Sequence, residues 1–385
     1  MIKAKGKTVV ICSNYAWTIY NFRMALIRRL KTEGYKVIVI TEFDGYENAI
    51  KPEVDQIQPL FISRKGVNPV VDIFTVLHLV RYLLKFRPDV LLSFTIKPVI
   101  YGSIAAKFAR VRSIAMITGL GTAFIADSWV TKVVRKLYRV ALSSVSIVFF
   151  QNVDDRNLFV EQKLVDPKVC RFTPGSGVDT DKFAYSNVPN TTVITFLLVA
   201  RMLWDKGIGE FVEAAKIVKC KYPLTRFQLL GPLGVQNRTS ITNTQMKIWQ
   251  KEGVIDYLGE TDNVKKFIEQ ASCVVLPSYR EGTSRVLLEA AAVGRPLIAT
   301  DVTGCREIVN DGVTGLLCKP RDYVALAQKI ELMLEMSYEN RLLMGIRGRE
   351  KVENEFRQEI VCDLYIEVIE SCKIRSSVVL KPGLK

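Results

Sequence analysis

Short runs in which every position is apolar alternate along this chain with longer stretches in which apolar residues recur at helical spacing. Over the first half the runs are TVVICS, KVIVIT, QPLFIS, DVLLSF, SIAMIT and VSIVFFQ. A strand wetted on one face alternates polar and apolar positions, whereas a strand apolar throughout is covered on both. Between the runs, NFRMALIRRLKTEG and VDIFTVLHLVRYLLKF carry apolar residues three and four apart and predict helices. Strand and helix repeating in this way predict a parallel sheet wound on both faces. The pattern lapses over AYSNVPNTT, polar and aperiodic, and resumes with VITFLLVA, TRFQLLG, GVIDYLG, CVVLP, RPLIAT and TGLLC. The expected organisation is α/β, with two doubly wound Rossmann-like domains over residues 1–184 and 193–355 and a linker at 185–192. A last amphipathic segment, within 356–385, is expected to pack back on the first domain. In open parallel sheets ligands bind at the carboxyl ends of the strands, so chemistry is sought in those loops and in the cleft between the domains.

Composition narrows the partners. The chain has 385 residues, 49% hydrophobic and 24% charged, enough for two cores of ordinary size. No run approaches the roughly 18 consecutive apolar residues of a membrane span, and the apolar run near the start is too short for a signal-peptide core. The expectation is a cytoplasmic protein. Eight cysteines lie singly without a CxxC pair, which predicts buried reduced thiols rather than a zinc site. The one histidine, His78, sits among apolar residues at helical spacing, a helix-face or core position. A net charge of +15, from 54 Lys and Arg against 39 Asp and Glu, favours anionic partners. No nucleic-acid-binding motif accompanies it. An anionic membrane surface is the more specific expectation, with WVTKVVRKLYRVAL, bearing Trp129 and Tyr138, as the segment to meet it.

Candidate chemistry gathers at strand ends. Arg201 lies just past the first strand of the second domain, and Lys206 follows before Gly207 and a helix. Two cations at a strand-to-helix junction suit a diphosphate, although any basic protein has surface cations in loops. In REGTSRVLLEAAAVGRPLIATD, the strand CVVLPS precedes a loop and a helix that Gly294 ends. This places Gly282, Thr283 and Ser284 at a helix N-terminus, where free amides attract anions. Glu281 at the mouth and Glu289 in the helix suit hydroxyl pairs of a sugar and a ribose. An isolated pair at that spacing reads instead as a cap and a solvated carboxylate.

Taken together, ARMLWDKG, LLGPLG, YREGTSRVLLEAAAVGRPLIATD, GCREIVNDGVTGLL and PGSGVDTDKF resemble the family 4 retaining glycosyltransferases of the GT-B fold. The resemblance implies that Arg201 and Lys206 hold the diphosphate of a UDP-sugar, Glu281 a hydroxyl of the donor sugar and Glu289 the ribose, with the Gly282 and Thr283 amides facing sugar and phosphate. Gly231, in LLGPLG, belongs to the same donor side, and Leu258 and Gly259 in YLGE match the loop whose backbone reads the nucleobase. The first loop, SNYAWTIYNFR with Asn14 and Tyr15, lacks the Gly-rich pattern of many relatives, and MITGLGTAF stands where they carry a histidine. TGLG and FTIKPVIYG are similar to a subgroup that builds bacterial surface polysaccharides and glycans on polyprenyl diphosphate. That implies Thr118, Gly119 and Gly121 along the cleft and Lys97 near a lipid-linked saccharide acceptor.

The implied reaction is hexosyl or N-acetylhexosaminyl transfer with retention, at the inner face of the bacterial membrane, without a metal or other cofactor. Other readings are a UDP-sugar epimerase of the same architecture, for which the first domain offers no evident histidine and carboxylate set, and a sugar phosphorylase, for which no lysine stands in a recognisable pyridoxal setting. A non-enzymatic basic module binding membrane or nucleic acid is the remaining alternative.

Overall fold

The computed structural model describes residues 6–63, 68–119 and 129–371. Its first sheet contains β1 (Thr8–Tyr15), β2 (Lys36–Glu42), β3 (Gln56–Pro59), β4 (Val90–Phe94), β5 (Arg112–Ile117), β6 (Ile147–Phe150) and β7 (Cys170–Phe172), in the order 3-2-1-4-5-6-7. Every pairing is parallel, with Val9 opposite Val37 on one side of β1 and Val90 on the other. The connecting helices are α1 (Ala16–Phe22), α2 (Met24–Thr32), α3 (Glu47–Ile50), α4 (Pro69–Phe86), α5 (Ile96–Ala109), α6 (Trp129–Leu142) and α7 (Val153–Glu161). The strand alternation sorts the two faces. Val10 and Cys12 enter a core with Leu79 and Leu83 of α4, Val99 of α5 and Tyr138 of α6. Val9 and Ile11 point the other way, into a core closed by α1 and α2.

The second sheet has the order 10-9-8-11-12-13 and is again wholly parallel: β8 (Thr195–Val199), β9 (Arg226–Leu230), β10 (Asp256–Tyr257), β11 (Cys273–Leu276), β12 (Leu297–Thr300) and β13 (Gly315–Cys318). Its helices are α8 (Ile208–Lys221), α9 (Asn243–Lys251), α10 (Val264–Gln270), α11 (Arg285–Val293), α12 (Tyr323–Glu335) and α13 (Tyr338–Glu355). α8, α9 and α12 cover one face and α10, α11 and α13 the other.

The chain order reverses between β1 and β4 in the first sheet and between β8 and β11 in the second, so each sheet has its switch point at the centre. The segment between the domains carries no helix or strand but is not loose. Arg295, fully buried, donates to Asn187 O at 2.8 Å and to Ser186 O at 2.5 Å, and burial pulls its pKa down to about 10. The last helix, α14 (Gln358–Ser371), lies against α2 and buries Tyr365 between the rings of Phe94 and Phe149 of the first sheet. Cys12, Cys273, Cys305, Cys318 and Cys362 are buried free thiols, while Cys220 is exposed.

Candidate active site

The carboxyl edge of the second sheet faces the first domain, and the loops after β8 and β11 meet there. After Val199 the chain runs through Ala200 and Arg201 into a single 3-10 turn, Trp204–Lys206, ahead of α8. Gly207 caps α8 at φ +72°, and a Cβ there would run into the carbonyl of Pro277 at the end of β11. Only glycine lets the Lys206 turn lie so close to the neighbouring strand end. Lys206 Nζ then reaches Glu281 Oε1 at 2.5 Å, with both side chains largely buried. Arg201 is exposed, and its side chain has no partner among the described residues. One cation is thus paired with the mouth carboxylate, and a second is open to an anion.

Asp205 knots the two loops together. Its carbonyl accepts from Tyr279 N at 3.0 Å and Ser278 Oγ at 3.3 Å, and its carboxylate from Thr239 Oγ1 at 2.8 Å. Beneath the second loop, Glu281 N donates to Thr303 O and Ser284 N to Gly304 O, both at 3.0 Å. These bonds pin the loop at each end and leave the amides of Gly282 and Thr283 without an acceptor among the described residues. The three-amide anion site expected from the sequence therefore shrinks to two. Ser284 serves as the N-cap of α11, its Oγ accepting from Leu287 N at 3.5 Å.

Glu289, on the second turn of α11, is buried rather than solvated, which overturns the reading of the pair in isolation. Its Oε1 accepts from Arg285 Nε at 2.7 Å. Burial pushes the carboxyl upward in pKa, with Arg285 and then Lys182 pulling against it. On the far side of the Arg201 loop, Ala200 N donates to Leu230 O at 3.0 Å and Gly231 N to Gly259 O at 2.7 Å, while Leu258 N donates to Leu229 O. Gly231, Leu258 and Gly259 accordingly form one continuous edge with Arg201.

The first domain closes directly over this edge. A Cβ added at Gly119, following β5, would lie 3.8 Å from Gly282 Cα, and a Cβ at Gly282 would stand 2.5 Å from Thr118 O. Gly121 lies outside the described residues. Asn14 and Tyr15 end β1 at the switch point, where Asn14 Oδ1 is buried without a hydrogen bond among the described residues. Thr95, at the end of β4, adopts φ +70° and ψ 160°, a conformation sparsely populated for any residue but glycine. Lys97 follows in the first turn of α5 and pairs with Asp72 Oδ1 of α4 at 3.1 Å. His78 stacks on Tyr82 with ring centroids 4.5 Å apart, a helix-face position.

Sequence reasoning missed the contacts made by the start of α7. Asn152 caps the helix, its Oδ1 accepting from Asp155 N at 2.7 Å. Its Nδ2 also donates to Gly282 O at 3.2 Å, across the cleft. Asp154 accepts from Thr303 Oγ1, and buried Asp155 pairs with Arg280. Burial raises the pKa of Asp155, and Arg280, with Asn152, opposes the shift. Arg285 bridges as well, donating to Asn21 O and lying over the Phe22 ring. No sequence signal marks these as partners, because each pairs residues more than a hundred positions apart.

Comparison with known proteins identifies both domains. A domain family described as "Glycosyl transferase 4-like" matches residues 9–152, and one described as "Glycosyl transferases group 1" matches residues 193–336. The N,N'-diacetylbacillosaminyl-diphospho-undecaprenol alpha-1,3-N-acetylgalactosaminyltransferase of Campylobacter jejuni is 28% identical over 335 residues, 83% of this chain and 87% of that protein. The UDP-Gal:alpha-D-GlcNAc-diphosphoundecaprenol alpha-1,3-galactosyltransferase of Escherichia coli is 24% identical, over 82% of this chain and 85% of that protein. Among solved structures, Anabaena Alr3699/HepE in complex with UDP-glucose superposes with a TM-score of 0.78 at 16% identity, covering 94% of this chain and 99% of that one, a likeness of fold.

Proposed function

The chain is a GT-B glycosyltransferase with a 4-like first domain and a group 1 second domain, and on that premise we propose that it moves a hexosyl or N-acetylhexosaminyl unit from a UDP-sugar to a hydroxyl of a polyprenyl-diphosphate-linked saccharide, with retention. The observation that carries this reading is the convergence of Arg201, Lys206, Glu281 and the two unused amides of Gly282 and Thr283 at one strand edge. A lipid-linked acceptor also fits the two relatives whose names specify undecaprenyl diphosphate.

In this reaction the bond from the anomeric carbon to the diphosphate breaks, and charge grows on the departing phosphate oxygen. Lys206, held against Glu281, and the amides of the pinned loop are in place before that charge develops, with the exposed Arg201 beside them, so little reorganisation opposes them. Glu281 accepts from a donor-sugar hydroxyl, and Glu289 holds the ribose. The acceptor oxygen bonds to the anomeric carbon on the face the diphosphate leaves, and its proton passes to the departing phosphate oxygen. Because protein cations supply the countercharge, transfer is expected to proceed in EDTA. The deciding experiment incubates purified protein with a panel of UDP-sugars and a polyprenyl-diphosphate saccharide in EDTA, following UDP release and product anomer by NMR. Release that needs one donor and the lipid, with retention, is the expected result; an inverted product or dependence on added metal would sink the mechanism.

Glu289 gives a second test. Its raised pKa means that burial opposes the ionised form, so its contribution to stability is greatest at low pH and declines as pH rises through the folded pKa. Glu289→Gln is expected to leave Tm at neutral pH at or above the wild-type value while raising the donor KM severalfold. A marked fall in Tm with unchanged KM would make Glu289 a partner of Arg285 and nothing more.

A further inference from the structure

α4, α5 and α6 lie side by side on one face of the first sheet, and their outer surface is bare. Phe61, Val70, Ile73, Phe74 and Leu77 are between 58% and 71% exposed, although each is large and apolar. The four on α4 recur at helical spacing, and Phe61 adjoins them, its carbonyl accepting from Thr75 Oγ1 of α4 at 2.9 Å. Phe108, near the end of α5 and so toward the opposite end of the layer, is 72% exposed as well. Cations flank this surface, with Arg81, Lys107, Lys132 and Lys136 all exposed. Across the three helices the one carboxylate is Asp72, which is buried against Lys97. The segment expected to meet the membrane, α6, contributes its cations but turns Tyr138 into the core, 1% exposed, so that ring makes no surface contact, while the Trp129 side chain lies outside the described residues.

A contiguous apolar surface ringed by cations and free of exposed carboxylates is complementary to an anionic bilayer and to little else in water. We infer that the α4–α6 layer is the bilayer-docking face, with the α4 stripe entering the acyl boundary and the cations meeting acidic headgroups. No helix among the described residues is long and apolar enough to cross a membrane. In a parallel sheet each connecting helix begins at the carboxyl edge of the strands, so the apolar first turns of α4 adjoin the cleft. A lipid-held acceptor can then reach the site from the layer in which its polyprenyl chain lies. This step rests on the lipid-linked acceptor proposed above.

The test is sedimentation of the full chain with phosphatidylglycerol-containing or pure phosphatidylcholine vesicles, with UDP binding followed in parallel by calorimetry. Binding is expected to need the anionic lipid and to weaken as salt rises. The double variant Ile73→Glu with Phe74→Glu, at exposed positions, is expected to lose about tenfold or more in partitioning, because charged groups replace apolar area in contact with the acyl region, while UDP binding stays unchanged. Wild-type partitioning by that variant would overturn the assignment. So would a wild-type protein that binds UDP but ignores vesicles, which leaves the transferase reading standing. A dimer on size-exclusion chromatography that the variant abolishes would assign the face to a second copy instead. Loss of UDP binding by the wild type would strike the transferase reading itself.

Discussion

Lys206→Ala is expected to lower kcat/KM by about 10²–10³-fold, the loss typical of removing one preorganised donor to a developing anion. Its position makes the larger figure the natural one. Lys206 is one half of a largely buried contact with Glu281 at 2.5 Å, so the truncation removes a positive charge and also leaves a carboxylate facing the diphosphate uncompensated. Arg201 remains but is exposed, where solvent screens it. Glu281→Ala is expected to be less damaging to UDP binding, because it frees Lys206 for the phosphates while removing the acceptor for the sugar hydroxyl. The two changes share one contact, so they should not add: the double variant is expected to lose less than the product of the two single losses. Steady-state transfer assays on the three variants check this, with UDP affinity measured separately. Activity in Lys206→Ala within a few-fold of wild type would remove the lysine from the leaving-group site.

Much of this was legible before any coordinates, for identifiable reasons. Most strands appear as apolar runs, because burial on both faces leaves no room for polar residues, but β3 is the half-exposed QIQP and overlaps the expected run QPLFIS only at Gln58 and Pro59, and β10 is the two-residue DY within GVIDYLG. β7 is three residues long, and Arg171 and Phe172 are exposed at the sheet edge, so no burial constraint marks it. The candidate site residues stood out in the sequence for a similar reason. Arg201, Lys206 and Glu281 are polar groups placed directly after strands that admit none, and only a loop at the carboxyl edge explains them. What escaped was tertiary. The floor under the Gly282 loop is made by the carbonyls of Thr303 and Gly304, and a carbonyl has no sequence identity. Apolar residues three and four apart predict the helix α4 but do not show that its outer face also carries Ile73 and Phe74 into the open. α6 offered the better amphipathic pattern, but its periodicity fits two orientations, and packing of Tyr138 against Phe159 selects the one that hides the ring.

Gly282→Ala separates the donor site from the closed enzyme. Alanine can adopt the backbone of Gly282, which does not lie in the left-handed region, so the substitution carries no intrinsic strain. The added methyl meets something else: Thr118 O at 2.5 Å and the Gln151 side-chain oxygen, both on the first domain. A glutamine side chain can turn away; a backbone carbonyl at the end of β5 cannot without shifting the strand. The strain is relieved most cheaply by parting the domains, which also costs the Asn152 bond to Gly282 and the Asp155 pairing with Arg280. Buried Asp155 would then be rehydrated rather than stranded, so the penalty of an unpaired charge does not hold the domains together. The expected result is a variant with wild-type Tm and near wild-type UDP affinity, since Arg201, Lys206 and Glu289 all belong to the second domain, but with transfer reduced about 10²-fold through misplacement of the acceptor side. Small-angle scattering in the presence of UDP should show a larger radius of gyration than the wild type. Gln151→Ala in the same chain should restore little, because Thr118 O remains. Full restoration would mean that the side chain and not the backbone sets the approach, and unaltered transfer in Gly282→Ala alone would mean that this closed contact is not the arrangement in which sugar is transferred.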